Sequence, residues 1–180
     1  MKYIALLRGI NVGGKSLIKM AELKVCVESL GYENVRTYIN SGNVLFEGDN
    51  QPTIQLAKAI EQAIEYTFSI AVKVVVIDYP SYKAIVRGVP HGWGEKPDWK
   101  YNTLFLIPPY DIAQIVADIG ELKPNIEMMI VGEGAIYQAV EFRSFGKTTT
   151  GKLASRSSYQ SMTIRNWNTT RKLLQLLEQE

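Results

Sequence analysis

The sequence holds one cysteine, Cys26, so it has no intrachain disulfide framework, and a reducing compartment is the expectation. It holds one histidine, His91, which excludes a histidine pair or a His–Cys zinc cluster. No run approaches the roughly 20 apolar residues of a membrane span. The apolar stretch after Met1 and Lys2 ends at Arg8, too short for the core of a signal peptide. No G-x-S-x-G elbow and no dinucleotide fingerprint is present. Together these absences point to a soluble, cytoplasmic protein. No metal, no cofactor and no membrane partner are expected.

Acid is missing from two stretches. The first twenty residues carry Lys2, Arg8, Lys15 and Lys19 and no Asp or Glu. Residues 142–177 carry Arg143, Lys147, Lys152, Arg156, Arg165, Arg171 and Lys172, again with no acid. The net charge of the whole chain is only +2, because residues 1–141 hold thirteen Lys/Arg against sixteen Asp/Glu. Two basic segments on a near-neutral chain suit a local anion site better than a broad nucleic-acid face. A solvated surface whose counter-charges lie elsewhere in the fold is the competing reading.

What is present suits a packed α/β protein. Hydrophobic residues make up 46% of 180 residues and charged residues 21%, enough for one domain or two small ones. Tyr3–Leu7 reads as a strand, and Met20, Leu23, Val27 and Leu30 recur at helical spacing. Val35–Ile39 and Val44–Phe46 flank Asn40-Ser41-Gly42-Asn43, a hairpin signal. Ile54, Ala57, Ile60, Ile64 and Phe68 form the apolar face of a second helix. Val72–Ile77 reads as a buried strand. The order is β-α-β-β-α-β, the ferredoxin-like unit.

A second pass looks similar. A short helix near Tyr82–Arg87 and a loop over 90–100 precede a strand at Thr103–Ile107. A helix follows over Asp111–Ile119. Strands at Ile126–Val131 and Ala135–Val140 flank Gly132-Glu133-Gly134. Gly146–Ser158 reads as a mobile loop or short helix, Ser161–Ile164 as a last strand, and Asn166 onward as a helix. The expected fold class is α+β, with two ferredoxin-like subdomains built on antiparallel sheets. The first is expected over 1–80 and the second over 81–180, with intertwining left open.

Gly9-Ile10-Asn11-Val12-Gly13-Gly14-Lys15-Ser16 satisfies the P-loop pattern G-x-x-x-x-G-K-[ST]. In a true P-loop the backbone amides wrap phosphates, Lys15 reaches the terminal phosphate and Ser16 holds magnesium. Val74–Asp78 even resembles a strand ending in a magnesium-orienting aspartate. A nucleotide hydrolase or kinase is therefore one alternative. Against it, the helical period starts at Met20 rather than Lys15, and the following strands read as a hairpin where parallel crossovers are required. A glycine loop before a helix also binds anions without hydrolysis. A second alternative is an RNA- or single-strand-binding module, with Tyr38, Trp93, Trp99, Tyr101 and Trp167 as stacking rings, although packing explains aromatics equally well.

Two segments carry a resemblance. One runs from Ala5-Leu6-Leu7-Arg8-Gly9-Ile10-Asn11-Val12-Gly13-Gly14-Lys15 through Met20-Ala21-Glu22-Leu23 to Val35-Arg36-Thr37-Tyr38-Ile39-Asn40-Ser41-Gly42-Asn43-Val44. The other is Thr163-Ile164-Arg165-Asn166-Trp167-Asn168-Thr169 with Lys172-Leu173. In order and spacing these resemble the uncharacterised bacterial family called domain of unknown function 1697. The resemblance implies paired ferredoxin-like subdomains and no established activity. The family pattern commonly has Asn after the lysine, which speaks against a magnesium role for Ser16.

The expected function is binding of an anionic or phosphorylated ligand, a small molecule or a nucleic acid. The site is expected to join the loop at 8–16 to the basic C-terminal segment. Its candidate residues are Arg8, Asn11, Gly13, Gly14 and Lys15 in the loop, and Asn40, Ser41 and Asn43 in the hairpin. Arg165, Asn166 and Trp167 precede the last helix. No catalytic residue is assigned.

Overall fold

The computed structural model describes residues 1–179. The chain divides into two compact units. The first comprises Met1–Lys83 together with the chain from Leu173 onward, and the second comprises Ala84–Lys172.

The first unit runs β1 (Lys2–Leu7), α1 (Met20–Glu28), β2 (Glu33–Tyr38), β3 (Asn43–Glu47), α2 (Thr53–Phe68) and β4 (Val74–Asp78). Its sheet has the order β2-β3-β1-β4, and every neighbouring pair is antiparallel. This is the ferredoxin-like arrangement. One face of the sheet presents Tyr3, Ala5 and Leu7 of β1, Val44 and Phe46 of β3, and Val74 and Val76 of β4. They pack against Leu23 and Val27 of α1 and Leu56, Ile60 and Ile64 of α2. Alternation along the strands puts these residues on one side, and full burial of each large aliphatic contributes about 1.5–3 kcal/mol. Ile54 departs from its expected place and is exposed. Leu56 takes its role, because a residue four before Ile60 lies one turn above it on the same face.

The second unit runs β5 (Trp99–Leu106), α4 (Ile112–Ile119), β6 (Glu127–Val131), β7 (Ala135–Glu141) and β8 (Met162–Asn166), with the sheet order β6-β7-β5-β8. All its pairs are antiparallel as well. Leu104, Leu106, Ile136 and Met162 pack against Ile115 and Ile119 of α4 and Leu153. Where the first unit has α2, the second has three short 3-10 turns, at Phe142–Lys147, Thr150–Ser155 and Ser157–Ser161. The Thr/Ser/Gly composition explains the change. Such side chains bond the local backbone in competition with an α-helix. Thr148 Oγ1 donates to Phe145 O at 2.7 Å, and Ser155 Oγ donates to Lys152 O at 2.7 Å. The segment is anchored by Glu127, whose carboxylate accepts from the amides of Lys123, Thr149 and Thr150 and from the Thr150 hydroxyl.

Two further helices are α3 (Tyr79–Arg87) and α5 (Trp167–Glu178). The unit boundaries fall inside both, so the last residues of the chain group with the first unit rather than with 81–180. Their attachment there is polar as well as apolar. Lys2 Nζ donates to Leu177 O at 3.0 Å and to Gln179 O at 2.9 Å, and Arg36 donates to Leu176 O at 2.9 Å. Two cations thus satisfy the orphan carbonyls at the negative end of α5. Lys2 is therefore used as a helix cap.

Candidate functional site

The loop after β1 is built around a miniature hairpin. Asn11 N donates to Ser16 O and Lys15 N donates to Val12 O, each at 3.1 Å. The two central residues are Gly13 and Gly14, at φ 59° and 75°. That is the φ pattern of a primed two-residue turn, which only glycine and a few polar residues enter cheaply. The Asn11 side chain closes the loop. Its Oδ1 accepts from Ile18 N at 2.8 Å, and its Nδ2 donates to Ile18 O at 3.0 Å and to Asn40 O at 2.9 Å. One amide therefore staples the loop to itself and to the β2–β3 turn.

That turn is equally constrained. Asn43 is buried, and its Nδ2 donates to Tyr38 O at 3.0 Å and to Ser41 Oγ at 2.9 Å. Gly42 is required twice, by a φ of 71° and by close approach. A Cβ on it stands 2.7 Å from Leu7 Cβ and 2.9 Å from Ile10 Cδ1. Leu7 N donates to Gly42 O at 2.8 Å and Arg8 N to Lys73 O at 2.9 Å, so the end of β1 is pinned from both sides.

Six non-glycine residues with positive φ occur among the described residues, and three lie here: Asn11, Ser16 and Ile39. Asn and Ser tolerate this region. A β-branched Ile39 at φ 48° is a genuine outlier. Core packing does not explain the strain, because Ile39 is 50% exposed, Val12 64% and Leu17 68%. Gly13, Gly14, Lys15, Lys19 and Asn40 are exposed too. The structure thus brings Asn11, Gly13, Gly14 and Lys15 together with Asn40, Ser41 and Asn43 around the end of β1. Asn11, Ser41 and Asn43 serve the scaffold, while Gly13, Gly14 and Lys15 face solvent. Val12, Leu17 and Ile39 are exposed members of this surface that sequence reasoning missed.

The context of a P-loop is not found here. α1 begins at Met20, five residues after Lys15, so no helix N-terminus stands at the glycines. β4 runs antiparallel to β1 and pairs Asp78 with Tyr3. Asp78 therefore lies at the other end of β1 from the loop, about 17 Å along the strand. Its carboxylate receives Ser81 N at 2.8 Å and Ser81 Oγ at 3.0 Å at the start of α3.

Arg165, Asn166 and Trp167 lie in the second unit. Arg165 is buried in β8, and one guanidinium nitrogen donates to Thr163 Oγ1 at 2.8 Å and to Ile164 O at 3.0 Å. Asn166 caps α5, its Oδ1 accepting from Asn168 N at 3.0 Å. Trp167 is buried, and a Cβ on Gly94 stands 2.9 Å from its ring. Trp93 and Tyr101 are buried as well and meet edge to face at 5.0 Å. These rings are packing elements, so the stacking role entertained for them has no exposed face. Burial raises the Tyr137 hydroxyl above its ordinary range, and that hydroxyl donates to Ile85 O at 2.7 Å. His91 is exposed in its loop. Among the described residues no group of three or more His, Cys, Asp or Glu side chains is placed to hold a metal, and no helix is long and apolar enough to cross a membrane.

Paired four-stranded antiparallel sheets, with a stapled glycine loop after the first strand, describe an α+β class carrying two ferredoxin-like subdomains. The particular family follows from the sequence: the profile described as "Protein of unknown function (DUF1697)" matches residues 1–137, and the chain belongs to that family. Among solved structures it is similar to the conserved bacterial protein SP0830 from Streptococcus pneumoniae. The two share 30% identity over 98% of each chain, with a TM-score of 0.86. No curated protein matches the sequence.

Proposed function

We propose that this protein binds an anionic, phosphate-bearing ligand at the stapled loop over 8–16, without hydrolysing it. One observation carries the reading. The Asn11 amide ties the loop to the 39–42 turn, where Ile39 is held at φ 48° against its preference, yet Ile39 and the loop's Gly13, Gly14 and Lys15 are exposed. Strain that gains no packing is characteristic of a working surface. The exposed Gly13 and Gly14 let a ligand approach the backbone amides closely, and Lys15 supplies a mobile positive charge. Arg8, at the end of β1, adds to a segment that holds no acid. The turn 39–42, tied to the loop through Asn11, forms the second wall of this surface.

The test is a thermal-shift screen of nucleotides, sugar phosphates and polyphosphate on wild type and on Lys15→Ala and Arg8→Ala. Stabilisation of wild type that weakens in both variants, and shrinks with added salt, is the expected result. If no phosphorylated compound raises the midpoint of wild type, the reading fails. The expected contribution of the C-terminal basic segment is read separately, from the same screen on Arg171→Ala and Lys172→Ala.

A further inference from the structure

A second surface lies at the end of the second unit's sheet, remote in sequence from the glycine loop. The turn at Phe142–Lys147 is a 3-10 helix, in which residues three apart eclipse one another. Phe142 and Phe145 therefore share a face. They are 71% and 41% exposed. Two phenylalanines left in water on a single turn are unusual, because each forgoes the gain of burial. They are not isolated. β5 pairs with β7 so that Trp99 lies opposite Glu141, the residue before Phe142. Phe142 N donates to Asp98 O at 2.8 Å, which fixes the turn beside the start of β5.

Cations alternate with these rings. Lys100 Nζ lies 5.4 Å from the Phe145 ring centre, and Lys96 Nζ lies 4.8 Å from the Trp99 ring centre. Arg143 and Lys147 are exposed on the turn itself. Asp98 and Glu141 lie beside the turn, and Glu141 is engaged by the Ser144 hydroxyl, while Glu127 is taken up by the Thr149 and Thr150 amides that follow the turn. From Phe142 to Leu177 the chain holds no acid at all.

We propose that Phe142, Phe145 and the cations Lys100, Arg143 and Lys147 form a binding platform for single-stranded nucleic acid. Flat apolar rings accept any base by stacking, and interleaved Lys and Arg follow the phosphates. The chemistry favours this occupant over a small anion, which has no use for two exposed rings. It also favours it over a duplex, whose bases offer no free faces. The proposal is independent of the glycine loop.

The experiment is fluorescence anisotropy with a labelled twelve-residue oligo-uridine and its duplex form, on wild type and on Phe142→Ala, Phe145→Ala and Arg143→Ala/Lys147→Ala. All four positions are exposed, so the variants are expected to fold, and their thermal midpoints check this. Wild type should bind the single strand and discriminate against the duplex. Each phenylalanine variant should weaken binding about fivefold to a hundredfold, the range for loss of one stacked base. The double cation variant should also flatten the salt dependence. Absence of binding by wild type overturns the proposal. So does binding that both phenylalanine variants retain in full, which is charge attraction alone. Self-association of wild type that Phe142→Ala abolishes, without oligonucleotide binding, assigns the face to a second copy and equally overturns it.

Discussion

At the scale of single residues, Asn11 and Ile39 show how this surface is made. The Asn11 amide makes three bonds to backbone groups of Ile18 and Asn40. Asn11→Ala removes all three and is expected to cost about 2 kcal/mol, at roughly 0.5–1.5 kcal/mol per bond. Asn11→Asp keeps the acceptor but turns a carboxylate oxygen toward the Ile18 and Asn40 carbonyls, so it is expected to be destabilised as well. Urea unfolding of the three proteins measures the series, and equal stabilities would remove the staple from the account. Ile39 makes the opposite case. A β-branched residue at φ 48° is disfavoured, and its side chain is half exposed. Ile39→Asn is therefore expected to stabilise by up to about 1 kcal/mol, since Asn enters the left-handed region more cheaply. A midpoint lower than wild type refutes the strain. The sequence offered Asn11 as a ligand residue because Asn in a glycine loop suits either role. Its partners lie seven and twenty-nine residues away, so only the folded chain shows that its amide is occupied.

At the scale of elements, the 3-10 segment of the second unit depends on one carboxylate. Burial opposes ionisation of Glu127, but hydrogen bonds from Lys123, Thr150 and Thr149 outweigh it and hold its carboxyl below the ordinary range. A lowered folded-state pKa means that the unfolded chain takes up the proton first as pH falls. The stabilisation is present in full above the unfolded value, near 4.3, and is lost as pH drops through the folded value. Glu127→Gln puts an amide against donors and should cost about 2–3 kcal/mol at neutral pH. It should also shrink the acid-induced loss of stability below pH 5. Hydrogen exchange at the Thr149 and Thr150 amides reports the same element, and unchanged protection in the variant would count against this anchoring. The α5 terminus is a parallel case. Lys2→Ala and Arg36→Ala should each cost about 0.3–1 kcal/mol and speed exchange in the last turn of α5. The sequence marked Gly146–Ser158 as irregular because Ser, Thr and Gly weaken helices. It did not mark Glu127 as the anchor, since a lone glutamate in a strand reads as a surface residue.

At the scale of the whole molecule, strand direction bears on the P-loop pattern that the sequence contains. The literal G-x-x-x-x-G-K-S match requires a helix starting at the lysine and an aspartate at the same edge of a parallel sheet. Here α1 starts at Met20, and the antiparallel pairing of β1 with β4 carries Asp78 to the opposite edge. Purified protein with magnesium and ATP or GTP is expected to release no phosphate above a no-protein control. Turnover abolished by Lys15→Ala would restore the P-loop reading. The sequence alone determined the α+β class, the β-α-β-β-α-β order and the two hairpins. Those features rest on local periodicity and turn chemistry, which neighbouring residues express by themselves. It also determined the family, through motifs spread along the chain. What only the tertiary structure decided is which of the marked residues face solvent. Arg165, Trp167 and Asn43 were candidates by type and are buried, while Val12, Leu17, Ile39, Phe142 and Phe145 stand exposed. Burial depends on strand register and on a side-chain staple between the first loop and the β2–β3 turn. These are contacts between residues distant in sequence, and no local pattern encodes them.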